Sequence, residues 1–163
     1  MNLKLCHLFH CLSGLFKIIM HSMGSLIYPD ESYRIRGACF EVYKVQGCGF
    51  TEPIYQECLE AELGHQGIPF EAQCPFSLHY KGQRLRHTFI PDLVCFGKII
   101  LELKAVPRLV DDHRAQILNY LQATGLKLGL LINFGHHPKI QIERFLNLEC
   151  SGGLAGRQPK VQA

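Results

Sequence analysis

Three stretches of the chain place apolar residues at helical spacing. The first runs from Glu31 to Gln46, with Asp30 and Gly47 suited to the capping positions at its two ends. A second helix is predicted from Thr51 to about Gln66 and a third from about Val110 to Ala123. The first helix is expected to bury one stripe, formed by Ile35, Ala38, Cys39, Val42 and Val45.

Between the second and third helices, and again after the third, the pattern changes to that of strands. The predicted strands and turns are Phe70 to Tyr80, a Lys81-Gly82 turn, Arg84 to Cys95, a turn at Gly97, Lys98 to Val106, Lys127 to Phe134 and Ile140 to Phe145. The order α-α-β-β-β-α-β predicts an α/β (α+β) domain in which helices flank a central mixed sheet.

The turn at Gly97 brings two acidic residues together. With the hairpin centred on this glycine, Asp92 lies opposite Glu102, with their Cβ atoms ~5 Å apart, and Lys104 follows on the same face. Opposed carboxylates repel unless a cation lies between them, and Mg²⁺ is a hard ion that takes one or two carboxylates. Asp92→Ala is therefore expected to leave the metal-free protein no less stable. The alternative is a chance arrangement, since a different turn length would put Asp92 on the other face.

The composition fits a single globular domain. The 163 residues are 47% hydrophobic and 19% charged, and the net charge of +3 is compatible with a nucleic-acid partner without requiring one. None of the eight cysteines forms a C-x-x-C pair, which argues against zinc-ribbon and thioredoxin-like sites. Several lie in apolar runs, so we expect reduced core thiols of a cytoplasmic protein rather than disulfides.

The two ends of the chain differ from its middle. Residues 1–22 are rich in apolar residues, but histidines and a lysine interrupt them too often for a membrane-spanning helix, and no membrane partner is expected. Met23 suits a natural start, so residues 1–22 are interpreted as an extension without function. Residues 23–148 are assigned to the folded domain, and the Gly-rich, polar residues 149–163 are expected to be disordered.

Two sets of motifs make the sequence similar to nuclease-like proteins. Pro91-Asp92 followed by Glu102-Leu103-Lys104, within an α-β-β-β-α-β order, resembles the PD-(D/E)xK nuclease superfamily. Gly49-Phe50-Thr51-Glu52-Pro53-Ile54-Tyr55 resembles the signature of the bacterial GxxExxY protein family. The surrounding matches are Gly37 to Tyr43, Gln116 to Leu121 and Leu128 to Gly135. The resemblance implies a restriction-endonuclease-like fold and a nucleic-acid substrate, with DNA favoured.

The resemblance also implies a metal-dependent site. Asp92 and Glu102 would hold Mg²⁺, with Mn²⁺ as the alternative ion, and Lys104 would assist hydrolysis of a phosphodiester bond. Gln116 and Tyr120 share one face of the third helix and are similar to the Gln-x-x-x-Tyr motif of RecB-like nucleases, which lies beside the metal. The alternative for these two residues is a polar face that only solvates the helix.

The sequence does not decide which further residues surround the acidic pair. Glu52 or Glu57, both on the second helix, is a candidate outer metal ligand, and spacing does not choose between them. The candidates for contacting phosphates of a nucleic acid are Lys81, Arg84, Arg86 and His113. For the three residues near the Lys81-Gly82 turn, a solvated hairpin tip is the alternative.

The sequence therefore predicts a divalent-metal-dependent nuclease. Two other classes stay open. One is an inactive nucleic-acid-binding module that retains the fold, and the other is a protein-interaction module, for which a homodimer suits the small chain. Metal binding distinguishes the nuclease from the interaction module, and cleavage distinguishes it from the binding module.

Overall fold

The helices and strands of the computed structural model follow the predicted order, but five predicted strands become seven. The structure describes residues 26–147, so the expectations for residues 1–22 and for the tail lie outside the described residues. The elements are α1 Pro29–Gln46, α2 Glu52–His65, β1 Phe70–Ala72, β2 Phe76–Tyr80, β3 Gln83–Phe89, β4 Leu93–Cys95, β5 Ile99–Lys104, α3 Asp111–Thr124, β6 Leu128–Asn133 and β7 Gln141–Leu146.

A five-stranded sheet with the order β1-β4-β5-β6-β7 forms the centre of the domain. β5 and β6 run parallel, and the other neighbouring pairs are antiparallel. The parallel pair is joined through α3, because parallel strands need a crossover connection. The predicted class, a mixed central sheet flanked by helices, is confirmed.

Helices cover both faces of this sheet. Leu101 and Leu103 of β5 belong to the core that α1 and α2 complete. Ile100 points the other way and packs against Ile117 and Leu121 of α3. Because side chains alternate along a strand, the even-numbered residues at the end of β5 share the α3 face, and these are the two motif residues of the strand.

The ends of α1 differ in part from the prediction. Tyr28 is the N-cap residue, and Asp30 lies inside the first turn, where its charge complements the helix dipole without capping the helix. Gly47 ends the helix with a φ of 69°, as predicted. Val45 is exposed and not part of the buried stripe, which starts one turn earlier, at Ser32, and stops before the last turn.

Two of the predicted strands are each divided in two. Phe70 to Tyr80 becomes β1 and β2, and Arg84 to Cys95 becomes β3 and β4. The second break falls at Ile90-Pro91-Asp92, because proline has no N–H to donate to a strand ladder. As a result, β2 and β3 leave the central sheet and pair with each other. This separate pair, residues 76–89, is called the outer hairpin below.

Aromatic stacking attaches the outer hairpin to the domain. Phe76 and Phe89 lie opposite each other with ring centroids 5.4 Å apart, and Phe89 stacks on Tyr120 of α3 at 4.8 Å. Lys81 and Gly82 form the turn, with φ angles of 48° and 80°, as predicted. Residues 79–88 are all exposed, so the hairpin packs only through its base.

The five cysteines in the described part of the chain are free, but Cys48, Cys58 and Cys74 are not fully buried, so the expectation of core thiols is met by two of them. Cys39 and Cys95 are buried, and burial raises the pKa of the Cys95 thiol to about 12, so this thiol stays protonated at neutral pH. Among residues 26–147, no helix has the length and apolar content that crossing a bilayer requires.

Candidate active site

The hairpin between β4 and β5 has the predicted register. Leu93 pairs with Leu101 and Cys95 with Ile99, on either side of the turn at Gly97. Continuing this register by one residue places Asp92 opposite Glu102, as the sequence predicts. The acidic pair is therefore positioned by a strand ladder at the end of the central sheet.

Asp92 also closes the end of this ladder. The register puts Pro91, which has no N–H, opposite Leu103, and the Leu103 N–H donates to Oδ2 of Asp92 at 2.7 Å. The Asp92 carbonyl in turn accepts a hydrogen bond from the Gln73 N–H at 2.9 Å. Burial raises the pKa of Asp92 above its ordinary value, although the Leu103 hydrogen bond and the Lys104 charge oppose this shift. This structural role of Asp92 was not predicted from the sequence, although the proline before it is a signal for such a role.

Glu102 is the buried acid of the group. The residue is 3% exposed, and its Oε1 accepts a hydrogen bond from Nζ of Lys104 at 2.7 Å. Its Oε2 is buried and has no hydrogen-bond partner among the described residues. Burial, and then the negative charge of Asp92, raise the pKa of Glu102 to about 7 against the opposing effect of Lys104. A bound cation would satisfy this unpartnered oxygen.

Lys104 lies among three carboxylates. Its side chain is 11% exposed, and Nζ is 4.0 Å from Oε2 of Glu52 in addition to its bond with Glu102. Burial by itself would lower the pKa of Lys104, but the hydrogen bond to Glu102 and the charges of Glu102, Glu52 and Asp92 raise it overall. The ammonium is therefore charged at neutral pH and available to an anion.

The structure distinguishes the two glutamates of α2. Glu52 lies three residues before the buried Tyr55 and shares its helix face, so its carboxylate reaches Lys104. Glu57 follows Tyr55 by two residues, which is about 200° around the helix, and it is exposed. Within residues 26–147, Glu57 forms no ion pair. Burial is the main cause of a raised pKa at Glu52.

The acids at the end of the sheet fit a divalent cation of the Mg²⁺ type. Mg²⁺ in proteins is commonly held by one or two carboxylates and completes its shell with water and phosphate oxygens. Asp92 and Glu102 supply such a pair, and one oxygen of Glu102 needs a partner. No cluster of three or more His, Cys, Asp or Glu side chains in the described chain could hold a metal ion, so the remaining ligands would be backbone, water or substrate oxygens.

The two polar motif residues of α3 bond to each other. Nε2 of Gln116 donates to the hydroxyl of Tyr120 at 3.0 Å. Tyr120 also packs against the cluster around Ile100, which precedes Glu102 by two residues on the same face of β5. Within the described chain, neither side chain hydrogen-bonds to the acidic pair or to Lys104. Both residues thus lie on the helix that covers the face of Glu102, without direct contact to its carboxylate.

The other predicted contact residues have local partners or face solvent. Nδ1 of His113 accepts a hydrogen bond from the Val110 N–H at 3.3 Å, which caps the start of α3. The basic residues of the outer hairpin are exposed, and these are Lys81, Arg84 and Arg86. In the part of the chain that the structure describes, none of the four forms an ion pair with an acidic residue.

A buried asparagine that no sequence argument selected fixes the chain just after Lys104. Asn133 is fully buried and lies beside Lys104 in the β5–β6 pairing. Its Oδ1 accepts hydrogen bonds from the N–H groups of Val106 and Gly135 at 3.0 and 3.1 Å, and its Nδ2 donates to the Val106 carbonyl at 2.8 Å. Position 135 has no room for a side chain, because a Cβ atom there would lie 2.5 Å from the Val106 nitrogen. The signal in the sequence is a single polar residue in an apolar run.

Comparison with known proteins assigns a family. Residues 29–145 match the model of the PD-(D/E)XK nuclease superfamily, and the chain belongs to that superfamily. No curated protein matches the chain. A solved structure described as "Crystal structure of SSO0001" is similar at 18% identity and a TM-score of 0.47, over 58% of this chain and 48% of that chain. The match thus spans less than half the length of that protein.

Proposed function

We propose that this protein is a divalent-metal-dependent nuclease that hydrolyses phosphodiester bonds in nucleic acid. The observation that carries the proposal is the buried, unpartnered oxygen of Glu102 beside Asp92 and Lys104. Asp92 and Glu102 would hold Mg²⁺ or Mn²⁺, and the Leu103 carbonyl is a further candidate ligand. The ion, when bound, supplies charge stabilisation of the phosphate and a more acidic water.

Lys104 is assigned the stabilisation of negative charge that develops on the phosphate. An ammonium has three N–H donors, and the hydrogen bond to Glu102 uses one, so the others are available to a water or a phosphate oxygen. Glu52 and Glu102 orient the ammonium between them. Because these groups are in place before substrate binds, little reorganisation is needed during the reaction.

Substrate contacts are assigned to α3 and to the outer hairpin. Tyr120 and Gln116 lie over the face of the sheet that carries the acids and would position the backbone of the substrate. His113 accepts a hydrogen bond at Nδ1, so the neutral ring carries its proton on Nε2 and can donate it to a phosphate. The exposed hairpin cations are assigned to phosphate contacts, and they are Lys81, Arg84 and Arg86.

We also place the chain in the GxxExxY family, with DNA as the substrate and the cytoplasm as the compartment. Gly49, Glu52 and Tyr55, the three defining residues of the motif, each have a separate structural role, which supports the family assignment. Gly49 has a φ of 119°, and Glu52 reaches Lys104. The hydroxyl of Tyr55 donates to the Gly47 carbonyl at 2.8 Å, and its ring stacks on Phe134 at 4.6 Å. The free thiols in the described chain support a reducing compartment.

The test compares the parent with Asp92→Asn, Glu102→Gln and Lys104→Met. Metal binding is measured by calorimetric titration with Mg²⁺ and Mn²⁺, and cleavage on a panel of labelled DNA and RNA forms. Either carboxylate variant should lose metal binding and cleavage together. Lys104→Met should bind the ion within a few-fold of the parent and lose about 10²- to 10³-fold in rate, because the ammonium acts on the transition state.

Glu57→Gln provides the matched control, since Glu57 is exposed and should leave both measurements unchanged. A parent protein that binds neither ion at millimolar concentration and cleaves nothing in the panel would show that the nuclease proposal is wrong. Binding of nucleic acid without cleavage would support the inactive binding module instead.

A further inference from the structure

The outer hairpin has two chemically different faces. His79 lies opposite Arg84, and Tyr80 lies opposite Gln83, so these neighbouring pairs project from opposite faces of the two-stranded sheet. Beyond these pairs the strand pairing is irregular, between Ser77 and His79, and Leu85 lies opposite that irregularity. Both apolar side chains face solvent, with Tyr80 63% and Leu85 41% exposed. Next to the turn, one face of the hairpin thus carries His79 and Arg84, and the other carries the ring of Tyr80.

The charge of this segment is uniformly positive. No acidic residue lies between Glu71 and Asp92, whereas this stretch contains Lys81, Arg84 and Arg86 together with two histidines. A polyanion is therefore the complementary partner for the outer hairpin.

Tyr80 does not belong to the hydrophobic core of the described domain. Its ring contacts the Lys81 ammonium, 5.4 Å from the centroid, and its hydroxyl forms no hydrogen bond among residues 26–147. The aromatic residues at the base of the hairpin differ, because Phe76, Phe89 and Tyr120 stack on one another. An exposed ring beside a cation, with no protein ring against it, is available to stack on a nucleic-acid base.

We propose that the outer hairpin binds unpaired nucleotides, with Tyr80 stacked on a base and the exposed cations of the hairpin, among them the neighbouring Lys81, on the backbone phosphates. A duplex keeps its bases stacked inside and presents phosphates outside, so it would use the charges of the hairpin but not the ring. A single strand uses both. Ile90 and Pro91 connect the base of the hairpin to Asp92, whereas Tyr80 lies beside the turn at its other end. The inference about binding is independent of the proposed function. Only its connection to cleavage rests on that function.

The test measures binding without turnover. Fluorescence anisotropy in EDTA compares a labelled DNA single strand of about 16 nucleotides, the matching duplex and an RNA strand of the same sequence. The parent should bind the single strands more tightly than the duplex. Tyr80→Ala should weaken single-strand binding by about 5- to 100-fold and change duplex binding less than about twofold, while Tyr80→Phe should keep the parent affinity.

Two control variants separate stacking from charge. Tyr33→Ala removes another exposed tyrosine, which is 79% exposed on α1, and should change neither affinity. Arg84→Gln should weaken single-strand and duplex binding alike and reduce the salt slope by about one. The proposal is overturned if Tyr80→Ala affects both nucleic acids equally, or neither, or if the parent prefers duplex. Because the assay needs no hydrolysis, its result is independent of whether the protein proves to be a nuclease.

Discussion

At the scale of single residues, Asp92 has two effects on the stability of the metal-free protein, and they have opposite signs. Its negative charge lies opposite Glu102 and contributes to the raised pKa of that residue. Its Oδ2 also accepts the hydrogen bond of the buried Leu103 N–H. From the repulsion alone, Asp92→Ala is expected to leave the metal-free protein no less stable. The hydrogen bond reverses the expected sign.

Asp92→Ala should lower the free energy of unfolding of the metal-free protein by ~1–3 kcal/mol, because a buried N–H is left without a partner. Asp92→Asn should lower it much less, since the amide oxygen still accepts the bond and the repulsion is gone. Urea unfolding in EDTA measures both. Equal losses in the two variants would show that the acceptor at position 92 does not matter.

The pKa of Glu102 predicts how stability depends on pH. The folded pKa of about 7 exceeds the value of ~4.3 for an unfolded chain. Between these values the folded protein binds more protons than the unfolded chain, so stability falls as the pH rises from about 4.5 through 7. The loss is roughly 3–4 kcal/mol. The raised pKa values of Asp92 and Glu52 act in the same direction.

Glu102→Gln should remove most of this loss, because an amide does not ionise. Free energies of unfolding in EDTA at about pH 5 and about pH 8 measure the slope. Glu57→Gln serves as the control and should keep the slope of the parent. A parent protein that becomes more stable across this window would contradict the raised pKa of Glu102.

At the scale of elements, only one face of α2 contributes a residue to the candidate active site. The buried face holds Tyr55, Leu59 and Leu63, and Glu52 at its N-terminal end comes within 4.0 Å of Lys104. Glu57 belongs to the exposed face. The choice between the two glutamates depended on which face of the helix meets the sheet, and the spacing of acids in the sequence does not contain that information.

Glu52→Gln should therefore slow cleavage by about tenfold and leave Mg²⁺ binding within a few-fold of the parent, because Glu52 orients the ammonium of Lys104. Glu57→Gln, five residues later on the same helix, should leave both unchanged. Calorimetric titration and the cleavage assay measure the pair. If the two variants behave alike, Glu52 does not belong to the site.

At the scale of the whole molecule, the domain consists of a mixed sheet between α1 and α2 on one face and α3 on the other, with the outer hairpin attached by aromatic rings.

The family match begins at residue 29 and ends at residue 145. A protein that begins at Met23 should thus retain the melting temperature of the full chain to within about 2 °C, a shift of roughly 0.5–1 kcal/mol for a domain of this size. Differential scanning calorimetry measures it. A large drop would mean that residues 1–22 pack on the domain.

The sequence by itself determined the element order, the register of the β4–β5 hairpin and the acidic pair that this register creates. These features follow from local rules, because a turn residue such as Gly97 sets which residues lie opposite each other and strand alternation sets which share a face. The positions of Asp92, Glu102 and Lys104 relative to one another are local in this sense. The end of α1 at Gly47 is local for the same reason.

Only the tertiary structure decided which distant groups join these residues. Glu52 reaches Lys104 because α2 packs on the sheet through the face of Tyr55, and Asn133 fixes the chain after Lys104 because β6 lies parallel to β5. The separation of the outer hairpin also depended on competition for partners, since β4 pairs with β1 and β5 and leaves β2 and β3 to each other. Such choices depend on packing between elements far apart in sequence, which hydrophobic periodicity does not encode.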